Sequence, residues 1–433
     1  MKVAIATLGC KVNQYESAGI LEALERQGLD LIPFDQPADY YVINTCTVTG
    51  RADVESRRLI RRAARTNPRA QIIVTGCYAR LAADDIRKMQ GVALVTDQKA
   101  LIADAISAAK PLEGSVQPDD PRSFPDLSGL KPVRFHGHTR AFLKIQDGCN
   151  SRCSYCIVPL ARGPSRSIPE TEVISRMDEL RLTGFREIVL TGIHLGAYGT
   201  DLLPPSDLAG LVKILCDGRA VERLRLSSIE PMEVTDALIA LFEHSGILCR
   251  HLHIPLQSGD DGVLGRMGRP YDSAFFAHLL EKIWRALPEM AVGLDVMVGF
   301  PGEDKQAFER TLQFIEDLPV AYLHVFPYSE RTGTEAAAMS GKVSDADIKD
   351  RAERMRNIGK RKRTAFAQRF IGQKMAVLVE GKPDRVTGLW RGFSGNYIPV
   401  VLRDGDISQI NQIVQVRTHE CQDGKLYGRI TDA

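Results

Sequence analysis

Hydrophobic positions in the first 110 residues switch repeatedly between two spacings. The runs KVAIATLG, YYVINT and AQIIVTG are short and continuous, whereas SAGILEALERQ and DVESRRLIRRAAR carry apolar residues at helical intervals. This alternation predicts a parallel sheet with helical crossovers. Each of the three strand runs ends in a cysteine: Cys10, Cys46 and Cys77. The ends of parallel strands lie along one edge, where α/β folds place their ligands, so these distant residues are expected to converge.

Residues 111–138 lose both periodicities and are rich in proline, glycine and acidic residues, which predicts a linker or strap. From 139 to 370 the strand-then-helix pattern restarts with RAFLKIQD, REIVLTGI, RLRLSSIE, HLHIPLQ, AVGLDVMVGFPG and YLHVFPYS. Six such units predict a partial (β/α)6 barrel with its chemistry at the strand C-termini. A basic helix closes this region, including RMRNIGKRKRTAFAQRF. Residues 371–433 read as short strands: MAVLVEG, RVTGLWRG, NYIPVVL, QIVQVRTHE and KLYGRI. They predict a small closed β-barrel. The fold class is therefore α/β, with a parallel N-terminal domain, a central partial barrel and a C-terminal β-barrel.

Composition changes this picture little. The 433 residues are 44% hydrophobic and 25% charged, with a net charge of +2, as expected of a multidomain globular protein. No apolar run approaches the ~18 residues of a membrane span. The N-terminus lacks the charge, apolar stretch and cleavage site of a signal peptide, so a cytoplasmic protein without membrane partners is expected. In a reducing compartment its nine cysteines are metal ligands or catalysts before they are disulfides.

Three of these cysteines fall in one loop, DGCNSRCSYCIVP, which supplies Cys149, Cys153 and Cys156. Zinc wants four ligands, so a zinc site would need a distant donor such as His136 or His138. A cubane iron–sulfur cluster on three thiolates instead leaves one iron open. The C-x3-C-x2-C loop, directly after the first strand of a six-unit barrel, resembles the signature of the radical SAM superfamily. That resemblance implies a 4Fe–4S cluster with S-adenosylmethionine chelating the open iron through its amino and carboxylate groups. A common superfamily variant places Gly-Gly-Glu after the second strand, but TGIHLGAYG has no glutamate there. Glu230 in RLSSIEP and Gln257 in HIPLQSG are the candidates to hold the cofactor's amine; polar closure of strand ends is the alternative reading.

TLGCKVNQYES, INTCTVT and VTGCYARL resemble the N-terminal domain of methylthiotransferases, and RLSSIEP, HIPLQSG, DVMVGFPGE and FPYSERTGTEAA resemble blocks of their barrel. The last sixty residues resemble a TRAM domain. This resemblance implies a second, auxiliary 4Fe–4S cluster on Cys10, Cys46 and Cys77. It implies that one S-adenosylmethionine methylates sulfur there, while a second yields the radical that removes hydrogen from C2 of an adenine. Cys216, Cys249 and Cys421 match no ligand position of the family. Lys11 and Val12 in GCKVNQYES point to the branch acting on threonylcarbamoyladenosine at position 37 of tRNA. The alternatives are isopentenyladenosine in tRNA and an aspartate of a ribosomal protein. A tRNA anticodon stem-loop and an electron donor such as flavodoxin or ferredoxin are the implied partners.

RNA has support from charge alone. Arg57, Arg58, Arg61, Arg62 and Arg65 recur at helical spacing, and Lys360, Arg361, Lys362 and Arg363 cluster on the later helix. Such surfaces bind phosphates without reading sequence. Trp390, Phe393 and Tyr397 in the terminal barrel could stack on bases, with core packing the equal alternative. The rival from another class is a non-catalytic, zinc-stabilised RNA-binding protein, which gives no reason for two incomplete cysteine triads.

Overall fold

The computed structural model describes residues 1–108, 124–218 and 221–431. The N-terminal unit runs β1 (Lys2–Thr7), α1 (Lys11–Arg26), β2 (Asp30–Leu31), β3 (Tyr40–Thr45), α2 (Gly50–Thr66), β4 (Gln71–Gly76), α3 (Cys77–Leu81), α4 (Ala83–Arg87), β5 (Val92–Val95) and α5 (Ile102–Ser107). Its parallel sheet has the order β2-β1-β3-β4-β5. Alternate residues feed two cores. Val42 and Ile73 pack with Ile20, Leu24 and Ile106 on one face, and Tyr41, Ile43, Ile72 and Val74 pack with Ile60 and Ile86 on the other. A continuous apolar run such as YYVINT is what a strand covered on both faces requires.

The register Thr7↔Asn44 and Thr45↔Gly76 aligns the C-terminal ends of β1, β3 and β4. Cys46 and Cys77 follow their strands directly, as expected. Cys10 does not end β1, which stops at Thr7; it caps the start of α1. The turn between them needs Gly9, whose φ is +97° and whose added Cβ would meet Cys46 Cβ at 2.8 Å.

The strap is docked where it is described, from residue 124 onward; its first part, 111–123, lies outside the described residues. Phe135 is buried in the barrel core, making edge contacts with Phe142 and Phe185.

The central unit contains β6 (Ala141–Lys144), β7 (Gln146–Asp147), α6 (Val158–Arg162), β8 (Arg166–Ser167), α7 (Glu170–Leu182), β9 (Glu187–Thr191), α8 (Leu208–Asp217), β10 (Arg223–Leu226), α9 (Asp236–His244) and β11 (His251–Gln257). It continues with α10 (Asp261–Arg266), α11 (Ser273–Ala286), β12 (Ala291–Val298), α12 (Lys305–Asp317), β13 (Tyr322–Pro327) and α13 (Asp345–Gln368). The six expected strands form two parallel three-stranded ladders, β6-β9-β10 and β11-β12-β13. Parallel bridges Leu224↔Leu248 and Ser228↔His253 join them into one curved sheet. Alternation now separates core from lumen. Leu224, Leu226, Leu252, Ile254, Leu294 and Val296 belong to the core under the helices. Between them lie Arg225, His251, His253 and Asp295, which line the lumen. Tyr322 crosses this lumen over Gly293, where an added Cβ would come within 2.0 Å of its ring.

The closed terminal barrel has the order β14 (Lys374–Val379), β15 (Arg391–Ser394), β16 (Pro399–Leu402), β18 (Lys425–Ile430) and β17 (Ile413–Gln422). Val377, Val379, Val400, Leu402, Val416 and Leu426 fill it. One strand boundary differs from the sequence reading: RVTGLWRG becomes a strand only at Arg391. Buried Asp384 accepts from the backbone of Val386 and Thr387, both at 3.1 Å, and so fixes a turn that leaves Val386 85% exposed. Among the described residues no helix is long and apolar enough to cross a membrane.

Candidate functional site: two cysteine triads joined by an arginine

The loop bearing Cys149, Cys153 and Cys156 is pinned by its backbone. Cys149 N donates to Gly163 O at 3.0 Å, Ser154 N to Met267 O at 3.0 Å, and Ala336 N to Ser154 O at 2.8 Å. The far end of its own connection and two other β/α loops thus hold the cysteine loop. Gly148 enters it with φ +75°, and an added Cβ would lie 1.9 Å from Pro164 O. Cys149 Sγ is 3.3 Å from His194 Nδ1, and Ser151 N donates to it at 3.4 Å. Burial disfavours this thiolate, but the His194 and Ser151 hydrogen bonds outweigh it and pull the pKa below the ordinary value. Burial acts against His194 too, yet Cys149 and Glu233, whose Oε1 is 2.6 Å from Nε2, raise it to about 10. At Cys156 burial outweighs the Val158 backbone hydrogen bond and the Arg269 charge, and pushes the pKa up to about 12. Arg269 Nη1 donates to Cys153 Sγ at 3.3 Å while ion-pairing with Glu230.

In the N-terminal triad, Asn13 ties the strand ends together. Its Nδ2 donates to Leu8 O at 2.7 Å and Thr45 O at 3.0 Å. Burial raises Cys46 and pushes Cys77 up to about 11; the charges of Cys10 and Cys46 are felt at Cys77. The connection between triads is Arg162, at the end of α6. Its Nε donates to Cys77 Sγ at 3.1 Å, and its Nη1 reaches Glu16 Oε1 at 3.0 Å and both oxygens of Asp147 at 3.1 Å. Lys144 and Lys99 complete this buried network, at 3.4 Å from Asp147 and 3.5 Å from Glu16. A second clamp lies outside it: Arg331 pairs with Asp53 at 2.7 Å, and Ser329 Oγ accepts from Gly50 N at 2.8 Å.

The donor spacing distinguishes metals. Tetrahedral zinc at about 2.3 Å from each sulfur brings thiolates to about 3.8 Å of one another. Among the described residues, the one group of three ligating side chains whose donor atoms lie within 4.8 Å of one another is His253, Asp295 and His324. Neither cysteine triad is that compact. Their wider spacing is what a cubane asks for, since there every thiolate takes its own iron rather than sharing one ion.

Other sequence-derived candidates scatter. Glu230 is engaged by Arg269 beside Cys153, and burial raises its pKa against that pairing. Gln257 ends β11 at a register shift, with φ +67°, a conformation that costs a non-glycine residue and clusters at ligand sites. Arg58 is exposed and 3.3 Å from Glu55, and Arg62 lies over the Phe34 ring at 6.0 Å. Lys360 is exposed, and Arg361 pairs with Glu316 at 2.7 Å. Lys362 is committed elsewhere, donating to Glu316 O at 2.6 Å and Leu318 O at 2.7 Å, the end of α12. Trp390 packs against the terminal barrel's core. Tyr397 and Phe393 are stacked at 4.9 Å, with Arg140 over both rings and Arg225 over Tyr397 at 4.7 Å. These two rings face the central lumen. His136 is 3.0 Å from Glu25, and His138 packs on Phe142, so both are engaged away from the cysteine loop.

Sequence reading missed Arg162, Arg269, His194 and Glu233, because single charged residues near a motif carry no spacing signal. The trio His253, Asp295 and His324 did leave one: HLH and YLH place polar side chains at period two inside apolar strands.

Residues 2–97 match the uncharacterized protein family UPF0004, and residues 143–315 match the radical SAM superfamily. The threonylcarbamoyladenosine tRNA methylthiotransferase MtaB of Bacillus subtilis is 40% identical over 96% of this chain and 93% of its own length. The MtaB of Thermotoga maritima is 37% identical over 87% of this chain and 86% of its own. Among solved structures, the radical S-adenosylmethionine methyltransferase TsrM of Kitasatospora setae, with cobalamin and a 4Fe–4S cluster bound, shares the fold. Its TM-score is 0.54 at 14% identity, over 78% of this chain and 74% of that one. Two cysteine triads in these two matched regions, and relatives of such identity along nearly the whole length, lead to one assignment: the chain belongs to the radical SAM methylthiotransferase family, in its MtaB-like branch.

Proposed function

We propose that this enzyme adds a methylthio group to C2 of N6-threonylcarbamoyladenosine at position 37 of tRNA, recognised in the anticodon stem-loop. The carrying observation is Arg162, which links the loop after the first barrel strand to Cys77 of the N-terminal triad, so that a base reaching one site is close to the other. Cys149, Cys153 and Cys156 would hold the cluster that binds S-adenosylmethionine; Cys10, Cys46 and Cys77 would hold the sulfur-handling one. When bound, these groups supply reductive cleavage of S-adenosylmethionine and a sulfur atom for carbon–sulfur bond formation.

The chain's own residues arrange the rest. His194 and Ser151 favour the Cys149 thiolate needed for iron ligation. Arg269 and Arg162 each place a guanidinium on one thiol of a triad and neutralise it against nearby carboxylates. The exposed arginines of α2 and the terminal β-barrel form the RNA-binding surface, and flavodoxin or ferredoxin delivers electrons in the cytoplasm. Nucleoside mass spectrometry of tRNA from cells with and without the gene tests the proposal. The methylthiolated threonylcarbamoyladenosine should vanish with the gene; its persistence, or loss of a methylthiolated isopentenyladenosine instead, overturns the substrate.

A further inference from the structure

The ladder β11-β12-β13 carries a group of ligating side chains that neither cysteine triad uses. Register makes Asp295 and His324 direct neighbours and sets His253 opposite Gly293, two positions before Asp295 on the same face. The donor atoms of His253, Asp295 and His324 lie within 4.8 Å of one another. His253 Nε2 and His324 Nδ1 converge on one carboxylate oxygen, Asp295 Oδ1, at 2.8 Å and 3.5 Å. The two imidazoles flank that oxygen, with ring centroids 4.7 Å apart and planes inclined by 30°. A metal ion at about 2.0–2.2 Å from nitrogen and oxygen donors brings those donors to about 3.0–3.5 Å of one another. The trio has nearly that spacing.

A second layer holds the first in place. The Tyr322 hydroxyl lies 2.7 Å from His251 Nε2 and 3.2 Å from His253 Nδ1. Its ring reaches this position because Gly293 has no side chain to meet it. With Nδ1 engaged by Tyr322, His253 offers Nε2 to the cluster. A hydrogen bond on the far ring nitrogen is the usual support of a metal-ligating histidine. The intervening residues Leu252, Ile254, Leu294 and Leu323 are buried in the apolar core, so polarity is confined to the lumen-facing positions. His253 is buried, Asp295 partly buried and His324 exposed, which leaves an ion a way in from the His324 side.

We propose that His253, Asp295 and His324 form a binding site for a single first-row divalent cation, separate from both cysteine triads. A lone hydrogen-bonded ion pair needs one histidine; here two imidazoles aim at one oxygen, and a third residue braces the buried one. Two imidazoles and a carboxylate accept zinc, iron(II) or manganese(II), with the order of affinity set by the metal. Three protein ligands leave at least one coordination position open, to be filled by water or another oxygen ligand in the lumen.

The probe is manganese(II), added anaerobically to reconstituted full-length enzyme in the oxidised, EPR-silent state of its clusters. Manganese favours oxygen and imidazole over thiolate, so it reports this trio and not a vacant cysteine position. Wild type should remove about one equivalent of the free-ion EPR signal, and zinc should displace the bound ion, as the affinity order of divalent metals requires. Pulsed EPR of bound manganese should show nitrogen coupling from imidazole. Asp295→Asn and His324→Ala should each weaken binding by at least ~10-fold. His324→Ala should also diminish the nitrogen coupling; this side chain is exposed, so its removal leaves the fold intact. A wild type that leaves the free-ion signal undiminished overturns the proposal. So does manganese bound without nitrogen coupling, which marks adventitious surface carboxylates; neither result needs a variant to fold. Undiminished binding by both variants overturns it as well.

Discussion

The two cysteine triads solve the same problem from opposite ends. In the barrel triad one short loop carries all three thiols, and the fold only has to hold that loop open, through backbone bonds to Gly163, Met267 and Ala336. In the N-terminal triad two strand ends and the start of α1 each bring one thiol, and sheet register, the turn at Gly9 and the Asn13 hydrogen bonds make them neighbours. Each triad has one buried arginine on one sulfur. Arg269 balances its charge against a single carboxylate, Glu230; Arg162 balances against Glu16 and Asp147, which also answer to Lys99 and Lys144. The difference teaches that a locally encoded site needs light support, whereas a site assembled from distant segments is cross-braced by a buried ionic network.

The sharpest way to break this comparison is to remove one ligand from each side. Cys153→Ala should lose about half the iron of wild type and all S-adenosylmethionine cleavage, since two thiolates cannot replace three. Cys46→Ala should lose its share of iron and all methylthiolated product, yet still form deoxyadenosine with dithionite. Deoxyadenosine from the first variant, or product at the wild-type rate from the second, would show that the triads do not divide the work this way.

The supporting arginines come next. Arg162→Ala leaves Glu16 and Asp147 buried without their main partner and should cost about 3–5 kcal/mol. Arg269→Ala strands one partly exposed carboxylate and should cost about 1–3 kcal/mol. Urea denaturation of the two apoproteins gives the ranking, and equal losses would remove the cross-bracing argument.

Acid should act on the same asymmetry. Burial opposes ionisation of Glu16, but Arg162, Lys99 and Lys144 lower its pKa from 4.5 to about 2. Its contribution to stability is therefore complete above about pH 4.5 and is lost as pH falls toward about 2. Glu230 runs the other way: its pKa is raised, so protonation favours the folded state there. Melting of the apoprotein between pH 6 and about pH 3 should show a loss that Glu16→Gln flattens and Glu230→Gln does not.

The smallest effect concerns RNA. Reversing Arg58 and Arg62 should flatten the slope of log affinity against log salt by roughly one to two. Lys362→Gln should leave the slope unchanged and cost about 1 kcal/mol of stability, because its ammonium caps α12. A slope that responds to Lys362 and not to α2 would move the RNA footprint onto α13.

Local pattern by itself determined a great deal of this protein. Short apolar runs alternating with helical spacings identified the strands of both parallel sheets, because burial is written into consecutive residues. The spacing of Cys149, Cys153 and Cys156 announced a site, because a single loop is a local object. Strand ends also put Cys10, Cys46 and Cys77 on one edge, since parallel order aligns C-termini. Only the tertiary structure decided that Arg162, on the helix after the barrel's cysteine loop, reaches Cys77 of the other triad, that Lys362 faces a helix end, and that Tyr397 and Phe393 cap the lumen. Each of these depends on which elements pack together, and a lone charged or aromatic side chain has no period to reveal its neighbour.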